Sequence, residues 1–221
     1  NTALTELRCF FNQLTSLNVS GATDLEELWC YDNSLTSLDV SNNTALIGLV
    51  CSNNPLTSLN VSNNTALTKL WCNYNLLTSL DVSNNTALTK LYCDNNPLTS
   101  LDVSNNTALT DLICHDNQLT SLDVRNGNNM NLDTLNCTNN PNLYCINIDD
   151  AAWATTNWTV ANGNIDSQHY FSTNCSGTSI QEHTTNKKLL KVTDLLGRET
   201  KNKPLFYIYD DGTVEKRITI E

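Results

Sequence analysis

Leucines fall at fixed intervals along most of this chain. Leu4, Leu25, Leu46, Leu67, Leu88 and Leu109 follow one another every 21 residues, and Leu132 comes 23 residues later. Leu4 to Leu109 each open the same phrase, L-x-x-L-x-C-x-x-N-x-L-x-x-L-x-V, as in Leu67, Leu70, Cys72, Asn75, Leu77, Leu80 and Val82, and Leu132 opens its first half, L-x-x-L-x-C-x-x-N. Within it, Leu70 to Cys72 and Leu80 to Val82 alternate apolar and other residues with the period of two that predicts short strands. One unit buries six or seven apolar side chains at roughly 1.5–3 kcal/mol each, while ordering its backbone costs roughly 1–2 kcal/mol per residue. A single unit therefore cannot fold, whereas a stack buries both faces of every coil. The pattern predicts a mostly β solenoid with 21-residue coils, a second short strand in the "LTSLDVS" phrase, and little room for helix.

Alternation also assigns faces. In Lys69-Leu70-Trp71-Cys72-Asn73, an inward Leu70 and Cys72 leave Lys69, Trp71 and Asn73 pointing outward. The inward thiols are Cys9, Cys30, Cys51, Cys72, Cys93, Cys114 and Cys137. Parallel strands in register sit about 4.8 Å apart, wider than the roughly 3.8 Å between Cβ atoms that a disulfide prefers. A linear file of thiols does not converge on a tetrahedral zinc site either. They read as free, buried and inert. A second internal file, Asn12, Asn33, Asn54, Asn75, Asn96, Asn117 and Asn140, supplies carboxamides that both donate and accept, suited to satisfying buried turn backbone.

The phrase resembles the leucine-rich repeat family, with Cys in place of the third Leu, over about two thirds of the chain. The resemblance implies a right-handed, curved solenoid whose outward strand face is concave. Down that face the columns read Arg8, Trp29, Val50, Trp71, Tyr92, Ile113, Asn136, then Phe10, Tyr31, Ser52, Asn73, Asp94, His115, Thr138. Beside them run Phe11, Asp32, Asn53, Tyr74, Asn95, Asp116 and Asn139. The repeats differ from one another here while framework positions barely change, the expected pattern of a binding surface. Candidate ligand contacts are Phe10, Trp29, Tyr31, Trp71, Tyr74 and Tyr92, with Asp94, His115 and Asp116 as polar contacts. Cross-strand stacking alone would also favour such aromatics, by roughly 0.2–1 kcal/mol per pair. The ligand class stays open between a protein segment and a polysaccharide.

Asp94, Asp111, His115 and Asp116 form a candidate cation cluster, for which calcium is the ion to consider; with no D-x-D-x-D-G loop, no cofactor is expected. The opposite column, Asn18, Asp39, Asn60, Asp81, Asp102, Asp123 and Asn147, reads as solvated and bonded to neighbouring Ser and Thr. No G-x-S-x-G occurs, and only His115, His169 and His183 offer imidazole bases, so an enzyme is not expected.

Composition sharpens the outline. The 221 residues carry a net charge of −11, which excludes nucleic acid as a natural partner. Residues 187–221 hold 8 basic and 6 acidic groups, leaving 4 basic and 17 acidic groups, net −13, in residues 1–186. No apolar run reaches the roughly 18 residues of a membrane helix. The shift in charge marks a boundary: 1–148 solenoid, 149–178 cap, 179–186 linker, 187–221 tail. In the tail, Phe206 to Tyr209 and Val214 to Ile220 flank Asp211-Gly212, a hairpin signal. "KVTDLLGRE" followed by "YIYDDGTVEKRITIE" resembles the C-terminal sorting domains of type IX secretion cargo in Bacteroidetes. That resemblance implies export, engagement of the type IX machinery, and a secreted or outer-membrane cell-surface location.

Export bears on Cys145 and Cys175, which stand outside the thiol file. In an oxidising compartment they are expected to pair, within a segment, "CINIDDAAWATTNWTVANGNIDSQHYFSTNC", that resembles the terminal caps of bacterial leucine-rich repeat proteins. Asn1-Thr2-Ala3-Leu4 matches Asn43-Thr44-Ala45-Leu46, so the natural protein is expected to extend further. The function expected is protein or carbohydrate binding in adhesion; the alternatives are a structural spacer without a dedicated ligand and a calcium-binding adhesin.

Overall fold

The computed structural model describes residues 1–175 throughout and, beyond them, the backbone of three strands. The chain forms two units, Asn1–Ser176 and Gly177–Glu221.

In the first unit, each L-x-x-L-x-C phrase forms a three-residue strand: β1 (Glu6–Arg8), β2 (Glu27–Trp29), β3 (Gly48–Val50), β4 (Lys69–Trp71) and β5 (Lys90–Tyr92). Then come β6 (Ser100–Asp102), β7 (Asp111–Ile113), β8 (Ser121–Asp123), β9 (Thr134–Asn136), β10 (Cys145–Asn147) and β11 (Tyr170–Ser172). Strands β1-β2-β3-β4-β5-β7-β9 form one parallel sheet in that order. Its register places Leu28 opposite Leu49 and Leu49 opposite Leu70, so like residues of successive coils lie side by side. The framework leucines from Leu25 onward are buried, most of them completely.

The second short strand does not occur in every coil. Only β6, β8, β10 and β11 pair, as a four-stranded sheet in the order β11-β10-β8-β6. The heptapeptide LTSLDVS is identical at 77–83 and 98–104, yet only the latter contains a strand. Pairing with a neighbour, not local sequence, decides the state.

All seven cysteines of the file are free. Burial raises the Cys51, Cys72, Cys93 and Cys114 thiols well above their ordinary value, with the neighbouring file members adding to the shift. Burial pushes Cys30 up to about 12. Cys9, in the first coil, is only half-buried, because a coil stacks on one of its sides alone among the described residues.

The asparagine file stitches coils together. Asn75 Nδ2 donates to Cys51 O (3.2 Å), Cys72 O (3.0 Å) and Asn73 O (3.2 Å), while its Oδ1 accepts from Leu56 N (3.1 Å). Asn12 occupies the same slot but is exposed, reaching only Cys9 O and Phe10 O. A second asparagine file, Asn43, Asn64, Asn85 and Asn106, is fully buried at the opposite turn. Asn64 Nδ2, for example, donates to Val40 O (3.0 Å) and Asn43 O (2.8 Å). Sequence reasoning passed over this file. Its signal was the repetition of the second Asn in "NNTAL".

On the opposite face, Asp39, Asp81 and Asp102 accept from Ser41 N, Ser83 N and Ser104 N two residues on, closing exposed turns. Hydrogen bonds from the serine hydroxyl and amide hold Asp39 and Asp81 below the usual carboxylate range.

The segment after β10 stacks on the preceding coil as a further coil would. Cys137 N donates to Asn164 O (2.9 Å), and Asn164 Nδ2 donates to Leu135 O (2.9 Å). Helix α1 (Ala151–Asn157) starts at Asp150, whose carboxylate accepts from Trp153 N (3.0 Å). Trp158 packs between Trp153 and Phe171, with ring centroids 5.3 and 5.9 Å away. Cys145 and Cys175 are bonded, as expected from their place outside the file.

The second unit is an antiparallel sheet of β12 (Leu189–Thr193), β13 (Leu205–Tyr209) and β14 (Val214–Arg217), with β13 central. β13 and β14 form the expected hairpin, Ile208 opposite Val214. Strand β12 was not anticipated. The linker at 179–186, the turn at 210–213 and residues 194–199 of the sorting phrase lie outside the described residues.

Candidate functional site

The outward face of the seven-stranded sheet gathers aromatic side chains because in-register pairing sets like columns side by side. They form two clusters, not one continuous stripe. The first joins coils one and two. Phe10 stacks on Tyr31 at 4.6 Å between centroids and lies 6.4 Å from Trp29. Phe11 meets both Phe10 (5.7 Å) and Tyr31 (5.2 Å) edge-on, and the Arg8 guanidinium sits 4.3 Å from the Trp29 ring centre. Trp29 Nε1 donates to Glu27 Oε2 (3.0 Å). Gly48 makes room for that carboxylate, since a Cβ there would collide with Glu27 Oε2.

Coil three interrupts the aromatics. Val50 and Ser52 are buried in the two columns, and Ser52 Oγ donates to Asn73 Oδ1. Beyond them Trp71 stacks nearly parallel on Tyr92 at 5.1 Å, with Lys69 Nζ 5.5 Å from the Trp71 ring centre. Trp71 Nε1 is buried without a hydrogen-bond partner among the described residues. Phenylalanine would give the same stack without that orphaned donor, so the indole is not the stability-optimal choice.

The acidic and imidazole groups divide differently from the sequence expectation. His115 Nδ1 lies 2.6 Å from Asp116 Oδ2, and its Nε2 lies 3.8 Å from Asp94 Oδ2. Asp94 is buried rather than exposed, and its carboxylate accepts from Asn95 Nδ2 (3.0 Å). Asp111 does not join them. It stands in the outer column, paired with Lys90 (3.0 Å) and with Thr110 Oγ1 (2.7 Å). Burial alone would raise its carboxyl, but the hydrogen bonds from Thr110 and Lys90 and the Lys90 charge hold it below its ordinary value. Among the described residues, no three His, Cys, Asp or Glu side chains converge to hold a metal ion.

The third column turns away from the strands. Phe11, Asp32, Asn53, Tyr74, Asn95, Asp116 and Asn139 all have φ between +51° and +54°. This left-handed conformation suits Asn and Asp and strains an aromatic residue. Tyr74, placed by the sequence among the sheet-face contacts, packs on no other aromatic ring among the described residues and lies beside an open groove with Asp116. Phe11, which sequence reasoning left out of the candidate set, belongs to the first cluster and is 70% exposed. The signal for it was a bulky residue in a column otherwise held mostly by Asn and Asp.

No family model and no curated protein matches the chain. Solved structures do. The functional domain of InlJ from Listeria monocytogenes, described as including a cysteine ladder, is 39% identical over 67% of this chain and 36% of that one, with a TM-score of 0.59. An internalin, InlF, from the same species is 23% identical over 80% of this chain and 49% of that chain, TM-score 0.59. A leucine-rich repeat protein of Leptospira interrogans is 20% identical over 77% and 49%, TM-score 0.58. The latter two likenesses establish the fold alone. The chain spans between about a third and half the length of these structures. Its structural neighbours are thus bacterial leucine-rich repeat proteins, and the first shares the cysteine file as well as the coil.

Proposed function

We propose, with the leucine-rich repeat fold as premise, that this chain is an exported, non-enzymatic recognition module. Its outward sheet face engages a protein partner in adhesion at the cell surface. The observation that carries this reading is the cluster of Arg8, Phe10, Phe11, Trp29 and Tyr31. It combines the residue types that dominate binding energy with ring-on-ring order. The repeats differ from one another across this face, while the Leu, Cys and Asn positions barely change. The Trp71–Tyr92 pair adds a second anchor with Lys69 beside it. With residues 1–186 carrying a net charge of −13, a neutral or basic segment is the complementary partner. The tail's likeness to type IX sorting domains supports a secreted or outer-membrane destination. Among the described residues no helix is long and apolar enough to cross a membrane.

The test is binding of the full chain to arrays of extracellular proteins and polysaccharides, with a Trp29→Ala/Trp71→Ala double variant alongside. Loss of at least about tenfold in affinity in a folded variant is the expected result. Equal binding by both proteins would refute the sheet-face role, and binding by neither would favour a spacer without a ligand.

A further inference from the structure

One open groove lies beside the sheet, along the column of left-handed turns. It is a shallow, open depression of about 570 Å³, lined by Tyr74, Asn95, Asp116 and Asn139 from that column and by Pro97 and Gln118. Four features set its chemistry. Tyr74 holds φ +54° where five of the seven coils use Asn or Asp. No aromatic partner packs on its ring among the described residues, and it is 52% exposed, so local packing does not account for its presence. The strained backbone keeps a flat, half-exposed ring at the groove.

Second, the donors of the flanking carboxamides are used internally: Asn95 Nδ2 donates to Asp94 Oδ2 (3.0 Å) and Asn139 Nδ2 to Asp116 Oδ1 (3.0 Å). Their Oδ1 atoms stay without a hydrogen-bond partner among the described residues, and so offer acceptors. Third, the Gln118 carboxamide makes no hydrogen bond among the described residues either and offers both a donor and an acceptor. Fourth, Asp116 is the one acidic side chain among the described residues that line the groove, on a unit with strong negative charge. A ligand rich in hydroxyls matches this set: hydroxyls donate to the Asn oxygens and accept from Gln118, while the C–H face of a ring lies on Tyr74. Anionic sugars would be repelled.

We infer that this groove is a subsite for a neutral hexopyranose unit of a glycan, with Tyr74 as the stacking platform and Asn95, Gln118 and Asn139 reading ring hydroxyls. The subsite is separate from the sheet face and does not depend on the protein-binding role proposed for it.

The test measures the full chain by calorimetry against neutral hexasaccharides (laminarihexaose, cellohexaose, mannohexaose and a galactohexaose), with hexagalacturonate as the anionic comparison. Tyr74→Asn restores the residue type its turn prefers, so it folds and its thermal midpoint is unchanged or higher. The expected result is saturable binding of at least one neutral hexasaccharide, weakened about tenfold or more by Tyr74→Asn and by Gln118→Ala but less than about twofold by Trp71→Ala. Absence of binding at millimolar sugar, equal binding of hexagalacturonate, or binding that survives Tyr74→Asn would overturn the inference. Loss with Trp71→Ala and not Tyr74→Asn would also overturn it and move glycan recognition to the sheet face.

Discussion

Replacing Asn75 by Ala removes four hydrogen bonds, and a simple count would assign a cost to each. The arrangement of the file predicts less. Cys51 O also accepts from Asn54 Nδ2 (3.2 Å), and Cys72 O also accepts from Asn96 Nδ2 (3.1 Å). Asn73 O accepts from Asn53 N (3.0 Å). All three carbonyls thus keep a partner after the substitution. Only the Leu56 N–H, buried and bonded to Asn75 Oδ1, is orphaned, at about 1–3 kcal/mol, with about 1 kcal/mol more for the surplus bonds. The expected destabilisation is about 2–4 kcal/mol. Asn12→Ala, at the exposed first coil where no such acceptor bond is made, should cost less than about 1 kcal/mol. Urea unfolding followed by circular dichroism, with both variants at one pH, measures the difference. Equal costs for the two variants, or a cost below about 1 kcal/mol for Asn75→Ala, would refute this accounting of the file.

Three other outcomes follow from the same geometry. Reduction of the Cys145–Cys175 bond, which closes a loop with a sequence separation of 30, should lower stability by roughly 3–4 kcal/mol; an unchanged urea midpoint under reductant would contradict this. A chromogenic thiol reagent should modify Cys9 alone among the seven free cysteines of the native unit and all seven once it is unfolded; rapid native reaction of several would contradict their burial. Burial holds the His169 imidazole below its ordinary value of 6.5. Protonation therefore favours the unfolded chain, and the contribution is complete above pH 6.5 and lost as pH falls through the lower folded value. Unfolding midpoints should drop on acidification in the native chain and less so in His169→Phe; parallel drops would assign the acid sensitivity elsewhere.

Much of this architecture was legible because it repeats. A leucine every 21 residues forces neighbouring coils into register, and register decides which side chains meet; the thiol file followed from it, and the Cys145–Cys175 bond followed from the export expectation for the two cysteines left outside that file. What escaped the sequence depends on context beyond one coil. The identical LTSLDVS heptapeptides differ in state because only one has its neighbour strand paired. Asp94 looked like an exposed contact by column, but the adjacent His115 and Asn95 cover it. Lys90 draws Asp111 out of the supposed cation cluster. Tyr74 and Phe11 share one column and one left-handed turn, yet Phe11 packs on Phe10 and Tyr31 while Tyr74 meets no aromatic ring among the described residues and lines the groove. Periodicity locates a residue along the coil; only the neighbouring coil fixes which way it is covered.

Recognition is proposed to belong to the outward sheet face. The most direct measurement takes one protein captured from an extracellular array and compares its affinity for Trp29→Ala and Tyr31→Ala with its affinity for Asp39→Ala and Asp81→Ala, on the opposite side of the coils. Losses of about tenfold or more are expected for the first pair and less than about twofold for the second. Losses confined to Asp39→Ala and Asp81→Ala, with the aromatic variants binding normally, would contradict it.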